Sequence, residues 1–133
     1  MKKLLGACLL ASMTLFLFGA LAVTAAPPPH HGAAATAGSP KAVAGEIVDL
    51  SCYLGHGSKG PAHKECAATC IANGGPMGLL TDKGLLYVLT MNHDNADAFN
   101  AAKKHAGDKV KITGPITVKN NTRALEVNGV ETI

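Results

Sequence analysis

The segment Ser58–Pro76, SKGPAHKECAATCIANGGP, constrains this chain more than any other. It predicts a helix whose two ends are both written in the residues. Pro61 suits a first helical turn, where its missing N–H costs nothing. Asn73-Gly74-Gly75-Pro76 stops the helix, because glycine takes the left-handed cap and proline cannot continue the ladder. Between these ends lie His63, Cys66 and Cys70. At 100° per residue they fall within an arc of about 60° on one helical face. A stripe of one imidazole and two thiols, with Cys52 a short way upstream, is soft-metal donor chemistry.

The rest of the chain supplies the setting. Lys2 and Lys3 precede an uncharged apolar run, Leu4–Val23, and Ala20-Leu21-Ala22 and Val23-Thr24-Ala25 are small-residue cleavage patterns. Residues 1–25 are therefore expected to be a secretory signal, cut near Ala25, and the protein periplasmic or secreted. The alternative is an uncleaved signal that anchors the chain to the membrane, since the run is long enough to span. Leu5-Gly6-Ala7-Cys8 has the form of a lipoprotein box but has almost no apolar run before it. Residues 26–42, APPPHHGAAATAGSPKA, read as a Pro/Ala/Gly-rich linker, with His30 and His31 as loose tail histidines.

A single domain is expected over residues 43–133. Val43–Cys52 reads as a first strand with apolar residues on both faces, and Tyr53–Gly60 as a glycine-rich loop before the helix Pro61–Asn73. Met77–Thr81 and Leu85–Met91 form a hairpin about Asp82-Lys83-Gly84. A second helix, Ala96–Ala106, follows with Asp94 as its expected N-cap, and Gly107 ends it. Lys109–Val118 is a fourth strand bent at Gly114-Pro115, and Arg123–Asn128, continuing to Ile133, is a fifth. Five strands with a helix between the third and fourth match a Greek-key barrel of the OB type. The expectation is thus a mainly β fold with two helices, an OB-like five-stranded barrel carrying its cysteine-bearing helical insertion between strands 1 and 2. Phe99 and Ala102 are expected to plug one barrel end.

Two resemblances add to this. Gly107-Asp108-Lys109-Val110-Lys111-Ile112-Thr113-Gly114 resembles the junction of helix and fourth strand in small bacterial OB-fold proteins. Gly45-Glu46-Ile47-Val48-Asp49, Cys52-Tyr53, His63 with Cys66 and Cys70, and Gly75-Pro76 resemble a group of uncharacterised secreted bacterial proteins with an H-x-x-C-x-x-x-C insertion. The first resemblance implies the fold; the second implies export and the site but no activity.

Two readings of the cysteines stand side by side. In one, Cys52, His63, Cys66 and Cys70 bind copper or zinc, with Asp49 accepting the second ring N–H of His63 and His56 as an auxiliary donor. In the other, a disulfide staples the insertion to strand one and the domain is a non-catalytic binding or structural module without metal. Helix geometry limits the disulfide to Cys52 with Cys66 or Cys70. Residues four apart on a helix hold their Cβ atoms about 5–6 Å apart, against the roughly 3.5–4.5 Å that a bridge needs. Met77, Met91 and His93 carry copper-donor chemistry, but methionines that end strands read as core filler.

Other functions find little support. No triad, phosphate loop or carboxylate pair stands out, so no enzyme is expected. Oligonucleotide binding needs basic grooves and stacking aromatics. Aromatics make up 4% of this chain, tryptophan is absent, and the net charge of +3 includes two lysines of the leader. The expected partners are a metal ion and an unidentified periplasmic protein, without nucleic acid.

Overall fold

A computed structural model describes residues 39–133. The leader with its cleavage sites and Cys8, the tail histidines and most of the linker lie outside them. Among the described residues no helix is long and apolar enough to cross a membrane.

The elements run β1 (Lys41–Asp49), α1 (Leu50–His56), a 3-10 turn (Pro61–His63), α2 (Lys64–Ala72), β2 (Met77–Leu80), β3 (Leu86–Met91), α3 (Ala96–Lys103), β4 (Lys109–Gly114), β5 (Ile116–Lys119), β6 (Thr122–Val127) and β7 (Gly129–Thr132). The strands form one mixed sheet in the order β5-β6-β3-β2-β1-β4-β7. Only β3 and β6 run parallel; every other neighbouring pair is antiparallel. The β-rich class is as expected.

The strand count is corrected: seven strands replace five, and the edge strands β5 and β7 do not pair with each other, so the sheet is not closed. The physical reason lies at two breaks. Pro115 has no N–H for a ladder bond, and it separates β4, which borders β1 and β7, from β5, which borders β6. Asn128 likewise divides the last strand, its N–H turning to the Thr113 carbonyl at 2.8 Å, so that β6 stays with β3 and β7 moves to β4.

The number of helices is corrected too. The described residues form three α-helices, and the extra one, α1, replaces the end of the expected first strand and the start of the expected loop. Asp49 is its N-cap, taking the backbone N–H groups of Ser51 and Cys52 on its carboxylate. Gly57 ends it in the left-handed conformation at φ 69°, and its N–H bonds back to the Tyr53 and Cys52 carbonyls. The end of the expected first strand therefore gives way to a helix where local capping supplies partners for the backbone N–H groups.

α1 also explains why β1 is apolar on both faces. Ile47 joins the main core with Ala67, Ile71, Leu79, Val110, Ile112, Leu125 and Val127. Val48, one residue on, joins Leu50 of α1 and Leu80 in a second cluster, against Tyr53, Leu86 and Val88. The second face is covered by a helix rather than by sheet curvature. Met77 is core filler, at 2% exposure.

α3 packs on the main core through Ala102, which is fully buried, and Phe99, which is half-buried with Lys103 Nζ 5.3 Å from its ring centroid. The helix ends at Lys103, before the expected Ala106, which instead bridges Ile47. Its N-cap is Asn95 rather than Asp94. Complete burial of Phe99 would make Phe99→Ala cost about 3–5 kcal/mol. With the ring half in solvent the expected loss is about 2 kcal/mol, measured as the shift in a urea unfolding midpoint at constant slope.

Candidate metal centre

Sheet register brings the two cysteine-bearing helices together. Asp49, the last residue of β1, pairs with Met77, the first of β2. Cys52 follows Asp49 by one helical turn, and Cys70 precedes Met77 by the end of α2 and a tight turn. The Leu50 N–H donates to the Pro76 carbonyl at 2.9 Å and fastens the start of α1 to the segment leaving α2.

That segment must lie close. The Gly74 N–H donates to the Ile71 carbonyl at 3.1 Å and the Gly75 N–H to the Cys70 carbonyl at 2.8 Å, which closes α2. A Cβ at Gly75 would stand 2.7 Å from the Cys70 carbonyl oxygen and 3.3 Å from Asp49 Oδ1. Glycine at 75 is thus what lets the chain pass between Asp49 and Cys70.

α2 is oriented by its neighbouring stripe. Ala67 and Ile71 are buried in the main core, and each follows a cysteine by one residue. Cys66 and Cys70 therefore ride at the boundary between core and solvent. Two further ties hold the insertion. The Gly60 N–H donates to Glu46 Oε1 at 2.5 Å, and Lys64 Nζ pairs with Asp108 Oδ1 at 2.5 Å.

The result is a three-sulfur cluster. The Sγ atoms of Cys52, Cys66 and Cys70 all lie within 4.8 Å of one another, close enough to hold a metal ion. All three are free thiols. Cys52 and Cys70 are half-buried and Cys66 is exposed.

The other expected donors fall around this cluster rather than in it. His63 is the last residue of the 3-10 turn, and its Nε2 is buried with no hydrogen-bond partner. It lines a narrow crevice with Glu46, Ser58, Lys59, Ala67 and Gly107, and no cysteine borders that crevice. His56 is exposed at the end of α1. Asp49 is 1% exposed and lies beneath Cys52 as the α1 cap.

Asp49 and Cys52 shift each other's protonation. The Asp49 carboxylate accepts the Cys52 thiol hydrogen bond, and with desolvation, the Asp49 charge and the neighbouring Cys66 it pushes the Cys52 pKa up to about 12. Desolvation by burial works to raise the Asp49 pKa. The bonds from the Cys52 thiol and from two backbone N–H groups, with the charge of His63, outweigh it and hold Asp49 below the usual carboxylate range. Cys70 is raised as well, by desolvation first and then by Cys66 and Asp49. The signs set a window. A raised thiol stabilises the fold below its ordinary value of 9.0 and loses that contribution as pH climbs towards the folded value. A depressed carboxylate stabilises it above 3.8 and loses that contribution on acidification.

Asp49→Asn removes the charge that keeps Cys52 protonated. In reduced, metal-free protein the alkylation rate of Cys52 at pH 8 should rise by about tenfold or more, because the thiolate is the nucleophile. Site-resolved mass spectrometry after timed iodoacetamide treatment reads this, and an unchanged rate would contradict it.

The site element that sequence reasoning missed is α1. Its signal was present: Asp49 is followed by Leu50, Tyr53 and Leu54 at helical spacing and then by Gly57. A groove of about 410 Å³ lies between Glu46, Tyr53, Lys59, Asp82 and Lys109, and no cysteine lines it. Of its charged groups, Lys109 pairs with Asp82 and Glu46 accepts the Gly60 N–H.

No family model, curated protein or solved structure matches this chain.

Proposed function

We propose that this protein is a small exported domain that binds one transition-metal ion, copper or zinc, and catalyses no reaction. The observation that carries the reading is the approach of Cys52, Cys66 and Cys70 to within 4.8 Å of one another from two different helices. Thiolates select soft and borderline ions, which means Cu(I) and Zn(II) among common metals. The fourth position is open to His63, one helical turn before Cys66, or to a donor from outside. Export rests on the charged start, apolar run and small-residue cleavage patterns of residues 1–25.

On the same reading the domain is OB-like, with β4–β5 and β6–β7 each counted as one bent strand. Three pairings support this Greek key: β1 with β4 antiparallel, β3 with β6 parallel, and β5 with β6 antiparallel. The insertion between β1 and β2 holds both cysteine-bearing helices.

The test is metal content against free thiols in one sample of protein purified from its native compartment. One equivalent of copper or zinc, lost together with thiol protection when a chelator is added, is the expected result. A protein without metal that keeps one cysteine pair resistant to alkylation, and still binds no metal after mild reduction and reloading, is a disulfide-stapled module and refutes the reading.

A further inference from the structure

Resting on that reading, we propose that the ion is Cu(I), held by the sulfurs of Cys52, Cys66 and Cys70 alone, and that it is handed at Cys66 to a partner bearing a soft sulfur ligand. The donor count argues for the metal. Among the described residues the cluster contains three sulfurs and no nitrogen or oxygen ligand. Zn(II) in a structural site takes four ligands in a tetrahedron, whereas d¹⁰ Cu(I) is satisfied by two or three thiolates. The other candidates stand outside the cluster. The Asp49 oxygens hold the Ser51 and Cys52 backbone N–H groups at 3.3 and 3.1 Å. His63, whose Nε2 has no hydrogen-bond partner, lines a crevice that no cysteine borders and is not among the clustered ligand atoms.

The unequal exposure argues for the route. Cys52 and Cys70 are half-buried, while Cys66 is exposed to solvent. An arriving sulfur therefore reaches the ion from the Cys66 side. In the exchange a partner thiol gives up its proton, its sulfur bonds to copper, and the bond from copper to Cys66 Sγ breaks. The Cys66 sulfur takes up a proton, the ion remains Cu(I), and no electron moves. A three-coordinate ion has room for the incoming ligand, so the exchange is associative.

The test uses the full chain, reduced and loaded with one equivalent of Cu(I) without oxygen. X-ray absorption at the copper edge should show three sulfur neighbours and no nitrogen, and His63→Ala should change Cu(I) affinity by less than about twofold in a chelator competition. Zn(II) should bind at least a hundredfold more weakly than Cu(I). Transfer of copper to glutathione should proceed at a rate proportional to glutathione concentration. A nitrogen neighbour with a tenfold or greater loss in His63→Ala, or preference for Zn(II), would overturn the three-sulfur copper assignment while leaving a metal site. A transfer rate independent of glutathione would overturn the exchange at Cys66. Failure to bind either ion would instead sink the proposed function itself.

Discussion

Cys70→Ser protein should lose about a hundredfold or more in affinity for Cu(I) or Zn(II), and Cys66→Ser should behave alike. Changing a group that merely orients a ligand typically costs 10–100-fold, so removing a ligand sets the larger loss. Serine keeps nearly the same volume but replaces a polarisable thiolate with a hydroxyl oxygen that does not ionise at neutral pH and suits harder ions. The fold should barely notice. Cys70 is half-buried and Cys66 exposed, and their neighbours Ala67 and Ile71 make the core contacts of α2. Each serine variant should therefore unfold within about 1 kcal/mol of the parent when both are metal-free. A chelator competition and a urea titration on the same variant separate affinity from stability. The disulfide reading gives the opposite pattern: whichever of Cys66 or Cys70 joined Cys52 would, when replaced, cost about 2–4 kcal/mol of stability under oxidising conditions, and there would be no metal affinity to lose. Parent-like binding in both serine variants would remove the sulfur cluster from consideration as a ligand set.

Gly114→Ala should be the most damaging small substitution among the glycines of the sheet, costing about 3 kcal/mol or more. Gly114 closes β4 immediately before Pro115, where the chain passes against β6. A Cβ there would overlap the Glu126 carbonyl oxygen and stand 2.8 Å from the Glu126 carbonyl carbon. Both are backbone atoms, so no side chain can rotate aside. Relief requires parting the chain from β6, and the bonds that hold it there are the Glu126 N–H to the Pro115 carbonyl at 3.1 Å and the Asn128 N–H to the Thr113 carbonyl at 2.8 Å. Gly78 is a contrasting control. Its added Cβ would meet the Leu50 and Leu86 side-chain carbons, which have rotamers to spare, so Gly78→Ala should cost less than Gly114→Ala. Equal unfolding midpoints for the two variants would show that the crossing at Gly114 is looser than the structure has it.

Several elements were legible in the residues because their signals are local. Pro61 and the Asn73-Gly74-Gly75-Pro76 stop bracket the 3-10 turn and α2 within a residue of where they lie. Asn120-Asn121 makes a turn with both residues at positive φ, 48° and 62°, as a tight hairpin of this kind demands. Gly107 takes φ 76° and Gly114-Pro115 breaks the strand. What misled was the β-branched run before Cys52. Strand propensity continues past Asp49, but a capping carboxylate and a helical spacing of Leu50, Tyr53 and Leu54 compete with it, and in the fold they win because α1 buries Leu50 against Val48 and Leu80. The stripe of His63, Cys66 and Cys70 was visible as a helical face, yet only the two cysteines of that face join Cys52 in the cluster.

By itself the sequence determined where the 3-10 turn and α2 begin and end and which face of α2 carries sulfur, since each of these depends on residues a few positions apart. The tertiary structure alone decided that Cys52 meets Cys66 and Cys70 and that Asp49 caps α1 beneath them. That meeting depends on the register Asp49 with Met77, which links chain segments separated by the whole insertion. Register is set by which residues of β1 and β2 bury together, Ile47 beside Leu79 in one core and Val48 with Leu80 in the other, and such pairings leave no mark at short spacing.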